Sequence, residues 1–146
     1  MSLWNVRKHD RVVDAKLSEK IQLNNWGKGM IIRRSSVEPF DFDGLNIFDY
    51  TGGRDTSCSL AIVEAPPGSR HREAWSERSD KYYFVLSGQI CFTLDGTIYD
   101  LGKGDFCLVP QGKHFSYRNA TEESSTLMLV HSPRLDLAAE IFAEGQ

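Results

Sequence analysis

The chain has 146 residues, 40% apolar, 25% charged and 11% aromatic, with a formal net charge of −3. That composition describes one globular domain with a single substantial core. No Lys/Arg cluster exceeds a pair, which argues against an electrostatic nucleic-acid footprint, and no apolar run approaches the roughly 18 residues a bilayer span needs.

Residues 1–29 are polar and mixed, with Asn24, Asn25, Gly27 and Gly29 marking a loop, and read as an arm or edge segment. No basic-then-apolar stretch begins the chain, so no signal peptide is expected. From residue 30 to 134, short β-rich runs alternate with turn signals. The runs are Met30–Arg34, Leu45–Tyr50, Ser57–Ala65, Lys81–Ser87, Gln89–Leu94, Thr97–Leu101, Asp105–Val109, Phe115–Asn119 and Ser124–Ser132. Asp95-Gly96 between two alternating runs is a hairpin signal, because a type I′ turn needs positive φ at both central residues. Pro66-Pro67-Gly68, Gly102–Gly104 and Pro110-Gln111-Gly112 are loops where pairing stops. The charged run from Arg70 through Glu73, Glu77 and Asp80 mixes signs and reads as a solvated loop, with Trp75 making it a candidate lid. In 135–146, Leu135, Ala138, Ala139 and Phe142 recur at helical spacing after Pro133, predicting a short C-terminal helix and tail. Cys58, Cys91 and Cys107, odd in number and set in apolar runs, read as small buried hydrophobes in a reducing, cytoplasmic compartment.

Many short strands at roughly ten-residue spacing predict an all-β protein, a jelly-roll or double-stranded β-helix barrel. Two stretches sharpen this. Gly68 and Gly88 bracket a segment of one length, and Gly104, Pro110, Gly112 and Asn119 fall at fixed intervals in a second; Tyr83–Gly88 has the matching strand sequence. On these motifs the chain resembles a single-domain cupin over about residues 45–133. The resemblance implies a barrel whose inward positions hold three imidazoles and a carboxylate around one divalent metal. It also implies a homodimer.

The positions where such a metal is held are filled otherwise: Ala74 and Ser76 for the histidine pair, Lys81 for the carboxylate, Phe115 for the last histidine. A methyl group and a phenyl ring cannot ligate, a hydroxyl is a poor ligand, and an ammonium repels a cation. The expectation is therefore no metal cofactor at the usual place. The alternative is a divalent transition metal at a displaced site made of His71, Glu73, Asp80 and His114. Strand parity turns Asp80 and His114 away from the lumen, so a β-bulge would have to restore each. His71 is expected on the approach to the barrel rather than inside it.

Keeping parity, Lys81 shares its face with Tyr83 and Val85, and Phe115 with Tyr117 and Asn119. Lys81, Tyr83, Phe115, Tyr117 and Ser76 are thus the candidate ligand-binding residues for a small polar or anionic molecule, Lys81 pairing a ligand carboxylate. The main functional expectation is a metal-free, dimeric binding or sensing barrel, with no nucleic acid or membrane partner. The alternative is a small enzyme, isomerase-, epimerase- or lyase-like, pairing His71 or His114 with Tyr83 or Tyr117. The resemblance supplies that precedent, since metal-free relatives that epimerise sugars use histidine and tyrosine as base and acid. A structural dimerisation module is a third reading. Tyr82, Phe84 and Leu86 face outward by parity and do not separate it from the others.

Overall fold

The computed structural model of the protein describes residues 29–144. The arm expected over 1–29 falls, Gly29 apart, outside the described residues. The strand expected at Met30–Arg34 does not form, and a single 3-10 turn follows at Arg34–Ser36.

Within 35–144 the strands build two antiparallel sheets. The first six strands are β1 (Phe40–Phe42), β2 (Leu45–Asp49), β3 (Ser59–Ala65), β4 (Arg70–Ser76), β5 (Asp80–Ser87) and β6 (Gln89–Leu94). The remaining five are β7 (Thr97–Gly102), β8 (Phe106–Val109), β9 (Phe115–Arg118), β10 (Ser125–Ser132) and β11 (Glu140–Phe142). One sheet has the order β1-β2-β3-β10-β5-β8, the other β11-β4-β9-β6-β7. The pairing leaves two separate sheets rather than one hydrogen-bonded ring, so the expected barrel is realised as a double sheet.

Period-two burial makes the interior. Along β5, Lys81, Tyr83 and Val85 are buried and the residues between them are not. The same alternation places Ile90 and Phe92, Phe115 and Tyr117, and Val63 and Leu127 in one core between the sheets. Burying one such side chain contributes roughly 1.5–3 kcal/mol. The expected hairpin is present, with Asp95 at φ 49° and Gly96 at φ 86°. Buried Asn119 ties the strand ends by donating to the carbonyls of Ala65 (2.8 Å) and Glu123 (2.7 Å).

The link between β5 and β6 depends on Gly88. Its φ is +76, and an added Cβ would lie 2.3 Å from Ser125 Oγ and 2.8 Å from Ser125 Cα. That hydroxyl accepts from the Gln89 amide (2.9 Å) and donates to the Gln89 carbonyl (2.7 Å). Gly88→Ala should therefore cost about 2–4 kcal/mol by urea unfolding, left-handed backbone strain adding to overpacking. Gly104→Ala, also at positive φ but with nothing within 4 Å of the new Cβ, should cost only about 1–2 kcal/mol. Equal costs would show that the Ser125 contact does not matter.

Three expectations are corrected. Residues 70–76 are not a solvated loop or lid but β4, paired with both β11 and β9. The C-terminal helix is replaced by one 3-10 turn, Leu137–Ala139, capped by the Asp136 side chain, and by strand β11. Two helical turns alone are marginal in water, whereas this segment finds an open sheet edge, in the register Glu140↔Ser76, Ile141↔Trp75 and Phe142↔Ala74. Cys58 is exposed and Cys91 and Cys107 are half-buried, rather than all three being buried.

Candidate active site

The register of β4 decides the site. His71 pairs with Tyr117 of β9, but Ala74 pairs with Phe115, so β4 carries an extra residue between them. A bulge of this kind switches strand parity. Ala74 and Ser76 face inward, and past the bulge His71 does as well. Its ring lies 4.9 Å from Phe115, 5.2 Å from Tyr117, 5.4 Å from Phe42 and 6.1 Å from Phe142, between centroids. His71 therefore sits inside, not on the approach.

The carbonyl of Arg72 lies 2.7 Å from His71 Nδ1. A carbonyl can only accept, so Nδ1 carries the proton and a neutral ring keeps its lone pair on Nε2. Among the described residues no donor takes that lone pair. Burial pulls the His71 pKa down to about 4; the Arg72 hydrogen bond opposes this, and the Lys81 charge adds to it. At neutral pH the imidazole is a free base.

Two phenols stand beside it. Tyr83 and Tyr117 are buried, their rings 5.5 Å apart and edge to face. Burial pushes both well above the usual phenol range, which keeps them protonated as donors. Phe92 and Phe115 complete the wall, stacked 6.0 Å apart.

A third, charged group closes the site. Lys81 is buried, with its ammonium 5.4 Å from the Phe115 ring centre. It hydrogen-bonds Oε1 of Glu140 and lies 2.8 Å from Nε2 of buried His131. Glu140 arrives on β11, facing inward with Phe142 because their partners Ser76 and Ala74 do. Burial lowers the Lys81 pKa and Glu140 holds it up in part. Burial, aided by the Lys81 charge, brings His131 down to about 3. His131 is thus neutral and accepts from Lys81. The carboxylate that Lys81 pairs with belongs to the chain itself, which corrects the expectation of a ligand carboxylate there.

Of the five predicted ligand-binding residues, Lys81, Tyr83, Phe115 and Tyr117 meet in this interior. Ser76 is buried beside them, but its hydroxyl oxygen accepts from the amides of Arg78 (3.2 Å) and Ser79 (2.9 Å), fixing the β4–β5 turn. The displaced metal set does not converge. His71 is inside, whereas His114 stacks on Trp75 at 4.0 Å and lies 3.4 Å from Glu73 on the outer face. Asp80 accepts from the Gln111 amide at 2.8 Å. A single bulge turned His71 without turning Asp80 or His114. Among the described residues no three His, Cys, Asp or Glu side chains converge as a metal would require, and Ala74, Ser76, Lys81 and Phe115 do not fit one by their chemistry.

Strand parity along Ser124–Ser132 could have flagged His131, two and four residues beyond the inward Leu129 and Leu127. Glu140 and Phe142 were hidden by the helical spacing of the tail.

Two imidazoles, buried His131 and partly buried His71, set a pH dependence. Both have folded-state pKa values below the unfolded value of 6.5, so the unfolded chain binds more protons in between. Their contribution to stability is full above pH 6.5 and is lost as pH falls to about 4 for His71 and about 3 for His131. Urea unfolding should show stability falling through this window, with a shallower fall in His71→Gln. An unchanged slope in the variant would contradict the burial of His71.

Residues 61–131 match the profile of the family described as Cupin domain. The fold is a cupin-like, all-β double sheet. It is 34% identical over 101 residues to a Myxococcus xanthus (strain DK1622) protein named Endoribonuclease YbeY, across 64% of this chain but 32% of that protein. It is 26% identical over 78 residues to the inner kinetochore subunit cnp3 of Schizosaccharomyces pombe (strain 972 / ATCC 24843), across 53% of this chain and 12% of that one. The chain therefore spans a third or less of these curated relatives. Among solved structures it is similar to Pac13, described as a unique nucleoside dehydratase, at 24% identity and TM-score 0.69, covering 79% of this chain and 91% of that one. Structures of the Streptomyces protein are also known with uridine. No helix among the described residues is long and apolar enough to cross a membrane.

Proposed function

We propose that this protein is a small acid–base enzyme, of the lyase or isomerase kind, which acts without a metal on a hydroxylated small molecule. The observation that carries this is His71, a neutral imidazole with Nδ1 anchored and Nε2 free, set among two protonated phenols. A binding or sensing protein needs no such arrangement. The solved relatives support chemistry as well. The Pac13 structures with uridine include substitutions of one histidine and two tyrosines, in the same chain order and at nearly the same spacing as His71, Tyr83 and Tyr117.

The step this geometry serves is removal of a proton from a carbon made acidic by a neighbouring carbonyl. Nε2 of His71 takes the proton, and the C–H electron pair becomes a new double bond. In a lyase, the C–O bond to a β-hydroxyl then breaks, and the departing oxygen takes a proton from a phenol or from the new imidazolium and leaves as water. In an isomerase a phenol on the opposite face instead donates its proton to that carbon, while His71 keeps the proton it took, and exchange with solvent resets both groups. Base and donor each contribute by being positioned and correctly protonated at neutral pH. The homodimer would form through the outer face of the six-stranded sheet, where Leu86, Phe106 and Leu108 are exposed.

The test is incubation with hydroxylated carbonyl compounds, nucleoside-derived ones included, in deuterated buffer containing a chelator. Mass spectrometry should show loss of one water or gain of one deuterium, undiminished by the chelator. Activity abolished by the chelator and restored by a divalent metal would overturn the metal-free reading.

A further inference from the structure

We infer that Glu140 is the hydroxyl anchor of this site, and that the ligand it selects is a neutral, polyhydroxylated molecule rather than an anion. The inference rests on the functional reading above and specifies its substrate class.

The carboxylate is unevenly satisfied. Oε1 is paired with Lys81 and lies 3.8 Å from His131 Nε2. Oε2 is buried and has no hydrogen-bond partner among the described residues, on a side chain only 10% exposed. A buried charged oxygen left without a donor is costly, and native proteins rarely keep one without a use for it. The oxygen belongs to the same interior as the base and the phenols: Glu140 faces the same side of β11 as Phe142, whose ring centre lies 6.1 Å from that of His71, and its partner Lys81 lies 5.4 Å from the Phe115 ring centre. A ligand hydroxyl donating to Oε2 supplies the missing bond.

The charges exclude the opposite assignment. Lys81 and Glu140 cancel, the two imidazoles are neutral, and the phenols are protonated. An anionic group brought inside would meet the Glu140 carboxylate, and the two cations described near it are already paired, Lys81 with Glu140 and Arg72 with Asp43 at 3.4 Å. Lys81 and His131 act here as positioning residues that hold Oε1 and leave Oε2 as the acceptor. β11 delivers Glu140, so substrate selection resides in the C-terminal strand.

The probes are uridine and D-ribose as neutral polyols and uridine 5′-monophosphate as the anionic counterpart. Binding is followed by calorimetry and by NMR shifts at His71 and Tyr117. The neutral probes should perturb both residues, and the monophosphate should bind at least about 10-fold more weakly than uridine. Glu140→Gln should weaken uridine binding by about 10- to 100-fold, the range for a hydrogen bond to a charged group. Because that variant leaves Lys81 unpaired, the double variant Lys81→Met/Glu140→Leu serves as the folded control, and should lose uridine binding to a similar degree. If the wild type binds uridine at His71 and Tyr117 while both variants bind it equally well, this inference fails and the acid–base reading stands. Tighter binding of the monophosphate, or a water retained on Oε2 in the uridine complex, also overturns it. If neither neutral probe reaches the interior, the inference fails together with the functional reading beneath it.

Discussion

Replacing Lys81 with methionine should destabilise the protein by about 3–5 kcal/mol, the cost of leaving one member of a buried ion pair without its partner. The side chains of Lys81 and Glu140 are 4% and 10% exposed, so water cannot take over the missing role. The variant would leave Glu140 with both oxygens unmatched and would strip His131 of the donor 2.8 Å from its Nε2. The double variant Lys81→Met/Glu140→Leu removes the whole pair and fills the space with apolar groups. It should recover most of the loss and could match the wild type, because desolvating two charges costs about as much as their attraction returns. Urea unfolding followed by circular dichroism measures both. A single-variant loss below about 1 kcal/mol, or a double variant no more stable than the single, would contradict the pairing described here.

The second large effect is catalytic. His71→Gln keeps an inward polar side chain but removes the proton-accepting lone pair. Turnover in the water-loss or deuterium-exchange assay should fall by about 10²–10⁴, the usual contribution of a positioned general base. Substrate affinity should change far less, because Glu140 and the aromatic wall remain. Tyr117→Phe should produce a smaller loss, since Tyr83 still offers a phenol. A His71→Gln variant within 10-fold of wild-type turnover would remove the imidazole from the reaction.

Much of this architecture was legible in the chain. Alternation along Lys81–Ser87 and Phe115–Asn119 correctly gave the inward faces, and with them Lys81, Tyr83, Phe115 and Tyr117. Asp95-Gly96 gave the hairpin because its backbone requirement is local. Three features that complete the site were not legible, each for a physical reason. The β4 bulge breaks the period-two pattern on which parity depends, so a one-residue irregularity hid His71 on the wrong face. The charges of β4 disguised a strand as a loop, although Arg72 and Glu73 sit at that irregularity and are only partly exposed. The tail satisfied a helical spacing over too few residues to make a helix, and tertiary pairing with the edge of β4 won. That pairing brings Glu140 inside as the partner of Lys81. The expected anion for Lys81 existed all along, within the same chain.

Long-range proton–nitrogen NMR of the imidazole observes directly whether His71 is an interior base with its proton on Nδ1. A neutral, Nδ1-protonated ring is expected at pH 7, gaining its second proton only near pH 4. An Nε2-protonated ring, or an imidazolium already present above pH 6, would contradict it.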